Sequence, residues 1–313
     1  MQPFAASRGL DPQVGRMRTP MTPAPRSARR FVAAIAAAAF ATSACASQAS
    51  TSTTDADRPL AVDLVSRTTA LQPGADAQLG LRLRHAPHWH SYWINPGDSG
   101  LPTRVAWALP PGYAAGELEW PLPKRFVVGS LQNFGYENDI VLPVALTVPA
   151  DARAGTRVRI KAEVKWLACR EECIPGKQSV ELELPIEARP AVDPRWSALF
   201  DRAERERPRP VQWQGRAELD GERVQIRLQG ADLPSTDALD AHAVQRKLLD
   251  NRRPTFRRDG DVLVIDAGRS EYFSQAPERF DLVLTVPGAS GRRGWTVSLP
   301  LHDRAVAPSS PPR

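Results

Sequence analysis

Two cysteines separated by three residues, Cys169 and Cys173 in KWLACREECIPGK (165–177), are the residues of this chain best suited to chemistry. The sequence holds one other cysteine, Cys45. A thiol pair at this spacing can exchange disulfides with another protein, staple a hairpin, or clamp a soft metal ion. For the metal alternative, His88 and His90 in HAPHWH (85–90) supply nitrogen ligands, because alternate residues of a strand share a face. With two thiolates they would form a Cys2His2 or Cu(I) site, although nothing in the spacing brings residue 88 near residue 169.

The elements that must position the pair read as strands. A strand-like run over 157–168 enters Cys169, and a second, 178–186, begins after Cys173. Arg170, Glu171 and Glu172 form the loop, which puts the cysteines about 5 Å apart, within disulfide reach. As a staple the pair does little: closing a five-residue ring removes roughly 2 kcal/mol of denatured-chain entropy, against about 5 for a hundred-residue loop. A disulfide at a turn is also open to thiolate attack. Lys165, Arg170 and Lys177 would favour the thiolate, and Glu171 and Glu172 would oppose it. Exchange is favoured, with staple and metal left open.

The compartment bears on that choice. Residues 21–50, MTPAPRSARRFVAAIAAAAFATSACASQAS, run from a basic stretch through a short apolar segment to small residues, the layout of a secretory signal peptide. The apolar run, Phe31 to Ala41, is about half the length a membrane span needs. Cleavage after Ala46 is expected; the alternative is lipidation of Cys45 behind Thr42-Ser43-Ala44. The whole chain carries 41 Lys plus Arg against 35 Asp plus Glu. Removing residues 1–46, with six arginines and Asp11, leaves 35 basic residues against 34 acidic, a net charge of +1. Nucleic-acid binding thereby loses its compositional support, and no transmembrane domain is expected in the mature chain. In an oxidising export compartment the two remaining thiols have only each other to pair with.

Along the chain, residues 47–58 read as a flexible leader and 59–188 as a β domain. Leu79, Leu81 and Leu83 alternate with polar or small residues; so do Val158, Ile160, Ala162, Val164 and Trp166, and then Val180, Leu182, Leu184 and Ile186. The fold class predicted is all-β: an immunoglobulin-like sandwich followed by a second β-rich domain. Residues 189–210 form a linker with a short helix capped by Asp193, with Trp196, Leu199 and Phe200 on one face. Residues 211–303 form the second domain, with turns at Asp220-Gly221 and Asp259-Gly260 and an inserted helix over 237–251. Residues 304–313 read as a disordered tail. Trp89, Trp93, Trp107, Trp120 and Trp166 are expected in the sandwich core, and PGDSG (96–100) as a turn.

HWHSYWINPGDSGLPTRVAW, EWPLPKRF, FGYENDIVLPV and VKWLACREECIPG follow one another between residues 88 and 176. As a series they resemble the N-terminal periplasmic domain of the thiol:disulfide interchange family DsbD, nearest its branch containing the suppressor of copper sensitivity protein B. The likeness covers 60–188 well and 195–302 loosely. It implies a redox-active disulfide, Cys169 with Cys173, doing protein-disulfide reductase chemistry in the periplasm without a further cofactor. It also implies an aromatic cap over the pair, matched best by Phe126, then by Phe134 and Tyr136. Partners would be periplasmic thiol or disulfide proteins. The chain carries neither the membrane nor the thioredoxin domain of long relatives, so a separate membrane or thioredoxin-like reductant is expected. Links to cytochrome c biogenesis and copper tolerance come with the family alone. The second cysteine meets the partner in that family. In this chain Cys169 ends a core-facing strand while Cys173 precedes Pro175, which agrees. The second domain has no cysteine, so the first is expected to set the redox potential unaided.

Overall fold

The computed structural model describes residues 58–289 and 291–304. The expected signal peptide, almost all of the leader and all but the first residue of the tail lie outside them. The first half contributes β1 (Leu60–Ser66), β2 (Asp76–His85), β3 (His90–Gly97), β4 (Arg104–Ala108), β5 (Ala114–Ala115) and β6 (Lys124–Val128). It continues with β7 (Leu131–Glu137), β8 (Asp139–Thr147), β9 (Arg157–Cys169) and β10 (Cys173–Pro185). One helix follows, α1 (Ser197–Arg205). The second half adds β11 (Arg209–Pro210), β12 (Gln214–Asp220), β13 (Arg223–Gln229) and β14 (Asp240–Ala243). It ends with β15 (Thr255–Asp259), β16 (Val262–Gly268), β17 (Arg279–Gly288) and β18 (Gly291–Asp303).

The fold is all-β, as the period-two patterning predicts. One layer has the order β1-β2-β8-β5; the facing layer has β10-β9-β3-β7-β6, with β4 also paired to β9. Leu79, Leu81 and Leu83 are fully buried, as are Ile160 and Val164 from the other layer, and all belong to one core. Each such side chain contributes about 1.5–3 kcal/mol by leaving water. Trp93 lies inside that core, while Trp89, Trp107, Trp120 and Trp166 pack against its margin. The third sheet, β14-β17-β18-β12-β13-β16-β15 with β11 on β18, has its own core. Val283 of β17 nevertheless joins the core of the first half.

Three local expectations need correcting. The strand expected from 178 starts at Cys173, because the ladder with β9 runs unbroken to the cysteine pair, with Pro175 opposite Leu167. Strand β10 is a sheet edge, where a proline need donate nothing. The helix expected over 237–251 is absent: Asp240–Ala243 is β14, hydrogen-bonded along β17, and all four of its residues are buried. Helix-forming residue types there are overridden by a sheet edge that needs a partner. Asp193 does not cap α1 itself. Its carboxylate and carbonyl instead accept the N–H groups of Arg195 and Ser197, forming the turn ahead of a helix that starts behind Trp196. The Asp-Gly turns lie where expected, with Gly221 and Gly260 both at positive φ.

Candidate functional site

The β9–β10 hairpin puts Cys169 and Cys173 directly opposite each other, with Cα atoms 4.1 Å apart and the sulfurs joined in a disulfide. The Arg170 N–H donates to the Glu172 carbonyl and closes the turn. The two cysteines differ in exposure for a topological reason. At this level β9 is an inner strand, with His90 of β3 paired to Cys169 on one side and β10 on the other. Cys169 is therefore only 3% exposed, whereas Cys173, on the edge strand, is open to solvent.

Beside the buried sulfur stands Tyr92. Its hydroxyl donates to Cys169 Sγ at 2.8 Å and lies 3.7 Å from Cys173 Sγ. Tyr92 comes from β3 and is 1% exposed. The loop after β3 presses on its ring: Gly100 has φ +99°, and a Cβ there would fall 2.2 Å from the ring. Burial raises the phenol pKa, so the hydroxyl stays protonated and able to donate. Two residues back on the same strand, His90 meets the Tyr92 ring edge-on at 5.3 Å and is stacked under Phe126 at 4.6 Å. Its Nε2 is buried without a hydrogen-bond partner, and burial lowers the imidazole pKa. Gly135 lets β3 and β7 approach here, since a Cβ at that position would strike the Ser91 carbonyl.

Of the expected cap residues, Phe126 lies on the flank of the site, over His90. Phe134 and Tyr136 do not; both are core residues. The Phe134 ring faces the Arg125 guanidinium and His242, and the Tyr136 hydroxyl donates to the Pro121 carbonyl. His88 does not share a strand face with His90, because β3 begins at His90 and His88 occupies an exposed turn with φ +67°. Among the described residues no group of three or more His, Cys, Asp or Glu side chains is placed to hold a metal ion.

The expected electrostatics also change. Lys165 and Lys177 are register partners that share Glu163, at 3.3 and 2.7 Å. They stand four residues along the hairpin from the cysteines, about 13 Å away, beyond a screening length of about 8 Å. Arg170 lies over the Trp89 ring. The polar group at the sulfurs is therefore Tyr92, which the sequence reading missed. The special role of Gly100 was missed with it. Only the HSYW run hinted at Tyr92, two residues from a histidine already under scrutiny.

Residues 56–185 match the family described as thiol:disulfide interchange protein DsbD, N-terminal. Among solved structures, the N-terminal periplasmic domain of ScsB from Proteus mirabilis is similar over 77% of this chain and 92% of its own, with 15% identity and a TM-score of 0.54. That identity speaks for the fold alone. A chimeric titin Z1Z2 aligns over 78% of this chain and 96% of its own at 11% identity, but its TM-score of 0.17 carries no argument. No curated protein matches the chain.

Proposed function

Since residues 56–185 match the family of the DsbD N-terminal domain, we propose that this chain exchanges thiols and disulfides with protein partners in the periplasm through Cys169 and Cys173. One observation carries the reading. The disulfide has one exposed sulfur-bearing residue and one buried one, and the buried sulfur already accepts a hydrogen bond from Tyr92.

In the reduced protein, Cys173 as thiolate attacks one sulfur of a partner disulfide. The new Cys173–partner bond forms, and the partner's second sulfur leaves as a thiolate and takes a proton. Cys169 then attacks Cys173 Sγ, restores the Cys169–Cys173 bond and expels the partner's first sulfur. Two electrons have passed to the partner. A separate dithiol reductant returns them by attacking Cys173, with Cys169 as the leaving thiolate. Tyr92 is placed to donate to that thiolate, and a hydrogen bond to an ionised acceptor is about twice as strong as a neutral one. On the side away from β10, His90 pairs with Cys169 and carries the Phe126 ring stacked on its imidazole.

The test is the equilibrium of the pair against a stepped glutathione or thioredoxin poise. A couple more oxidising than about −300 mV supports exchange, and a much more negative one marks a structural staple. A second reading, metal binding by the reduced thiols, draws on the unpartnered Nε2 of His90 beside Cys169. Metal analysis of the reduced protein against His90→Ala decides it: metal lost with His90 supports that reading, and none bound by either protein removes it.

A further inference from the structure

Strand β6 faces two ways. Phe126 stacks on His90, the residue that pairs with Cys169. Its neighbour Arg125 turns to the opposite face and reaches a different sheet. There the Arg125 guanidinium donates twice to the Asp240 carboxylate, at 2.9 and 2.7 Å, and also to the Asn251 carbonyl. Both side chains are nearly buried, 12% and 9% exposed. The guanidinium lies 4.8 Å over the Phe134 ring, which sits opposite Arg125 across the β6–β7 ladder. Strand β3 divides the same way. Tyr92 points to the sulfurs, while Trp93 meets the edge of His242 on β14, which Phe134 also touches. Asn95 completes the contact by donating to the Ala243 carbonyl at 2.7 Å.

The two strands that carry Tyr92 and Phe126, β3 and β6, are thus each fastened, one residue away, to β14. The ion pair is the most directional of these fastenings, since a bidentate arginine–carboxylate pair fixes both distance and angle. Building on the exchange reading, we propose that Arg125 and Asp240 are positioning residues. Their pair pins β6 against β14 and thereby holds the Phe126 ring on His90. Cys169 stays shut away, and attack is confined to Cys173. The role found for the second half of the chain is control of access. The redox potential, which depends on the sulfurs and Tyr92, need not change with it.

Access to Cys169 can be read directly in a Cys173→Ser background, as the rate at which iodoacetamide alkylates Cys169 at a pH that ionises it, followed on its own peptide by mass spectrometry so that Cys45 does not contribute. Asp240→Asn, which keeps the shape and removes the charge, should raise that rate by about tenfold. Phe126→Ala should raise it at least as much. Adding Asp240→Asn to Phe126→Ala should then change nothing more, because the pair acts through the ring it positions. A general loosening would instead multiply the two effects, and that result overturns the proposal. So does an unchanged rate in Asp240→Asn, or in Phe126→Ala. Should Asp240→Asn fail to fold around its unpaired arginine, the joint replacement Arg125→Met with Asp240→Leu leaves no buried charge and must give the same rise. The outcome is independent of whether the protein exchanges disulfides with partners, because alkylation reports access alone; failure of the exchange reading would appear in the redox equilibrium instead.

Discussion

Replacing Tyr92 with Phe removes one oxygen and leaves the ring where Gly100 and its buried neighbours hold it. The hydroxyl lost is the one that donates to Cys169 Sγ at 2.8 Å. In the disulfide that sulfur is a weak acceptor, so the oxidised protein loses little. In the reduced protein with Cys169 ionised, the same donor meets a full negative charge. Tyr92 is 1% exposed, and water does not readily take its place. A hydrogen bond to a charged group is worth about 1.5–3 kcal/mol. For a two-electron couple, 30 mV corresponds to about 1.4 kcal/mol, so Tyr92→Phe should make the potential about 30–60 mV more negative. The measurement is the reduced fraction at stepped glutathione poise, read by thiol labelling at a pH where Cys169 is ionised. A potential equal to that of the unmodified protein would refute the role given to the hydroxyl.

Two further substitutions probe the supports of the site. Gly100→Ala forces a side chain into positive φ and against the Tyr92 ring; it should destabilise the fold by about 1–3 kcal/mol and move the potential in the same direction as Tyr92→Phe, measured by denaturant unfolding and redox titration. His242 is buried with neither ring nitrogen hydrogen-bonded, and burial holds its pKa at about 4 against the opposing charge of Asp240, 3.7 Å from Nε2. Its imidazole titrates near 6.5 when unfolded, so the native state binds fewer protons. Stability should therefore fall as pH drops from about 6.5 to about 4, by up to about 3 kcal/mol from this group. His242→Phe should keep neutral-pH stability and flatten that acid slope in unfolding midpoints; an unchanged slope would assign the acid sensitivity elsewhere.

Much of the scaffold was legible because each period-two run has one face in a core. Ile160 and Val164 are fully buried between exposed Arg159, Lys161 and Lys165, and that contrast is written in the residue types. Strand β14 has no such contrast: all four of its residues are buried, and its Asp240 is polar because it meets Arg125. The local pattern could only suggest a helix. The cysteine pair was legible because its partners are neighbours in sequence. Tyr92 reaches Cys169 across 77 residues, and Arg125 reaches Asp240 across 115. Those meetings depend on which strands pair, which no local spacing encodes. The lysines misled for the reverse reason: they are close to the cysteines in sequence, but an extended hairpin carries them away, and Glu163 holds them there.

The division of labour between the cysteines is the centre of the account, and single-cysteine trapping tests it most directly. Cys169→Ser leaves the exposed Cys173 to attack a partner with no second thiol to release it. Covalent complexes should accumulate, survive non-reducing gels and vanish on adding reductant. Cys173→Ser leaves only the buried thiol and should trap few or none. Complexes formed by Cys173→Ser but not by Cys169→Ser would reverse the roles, and none from either variant would contradict disulfide exchange itself.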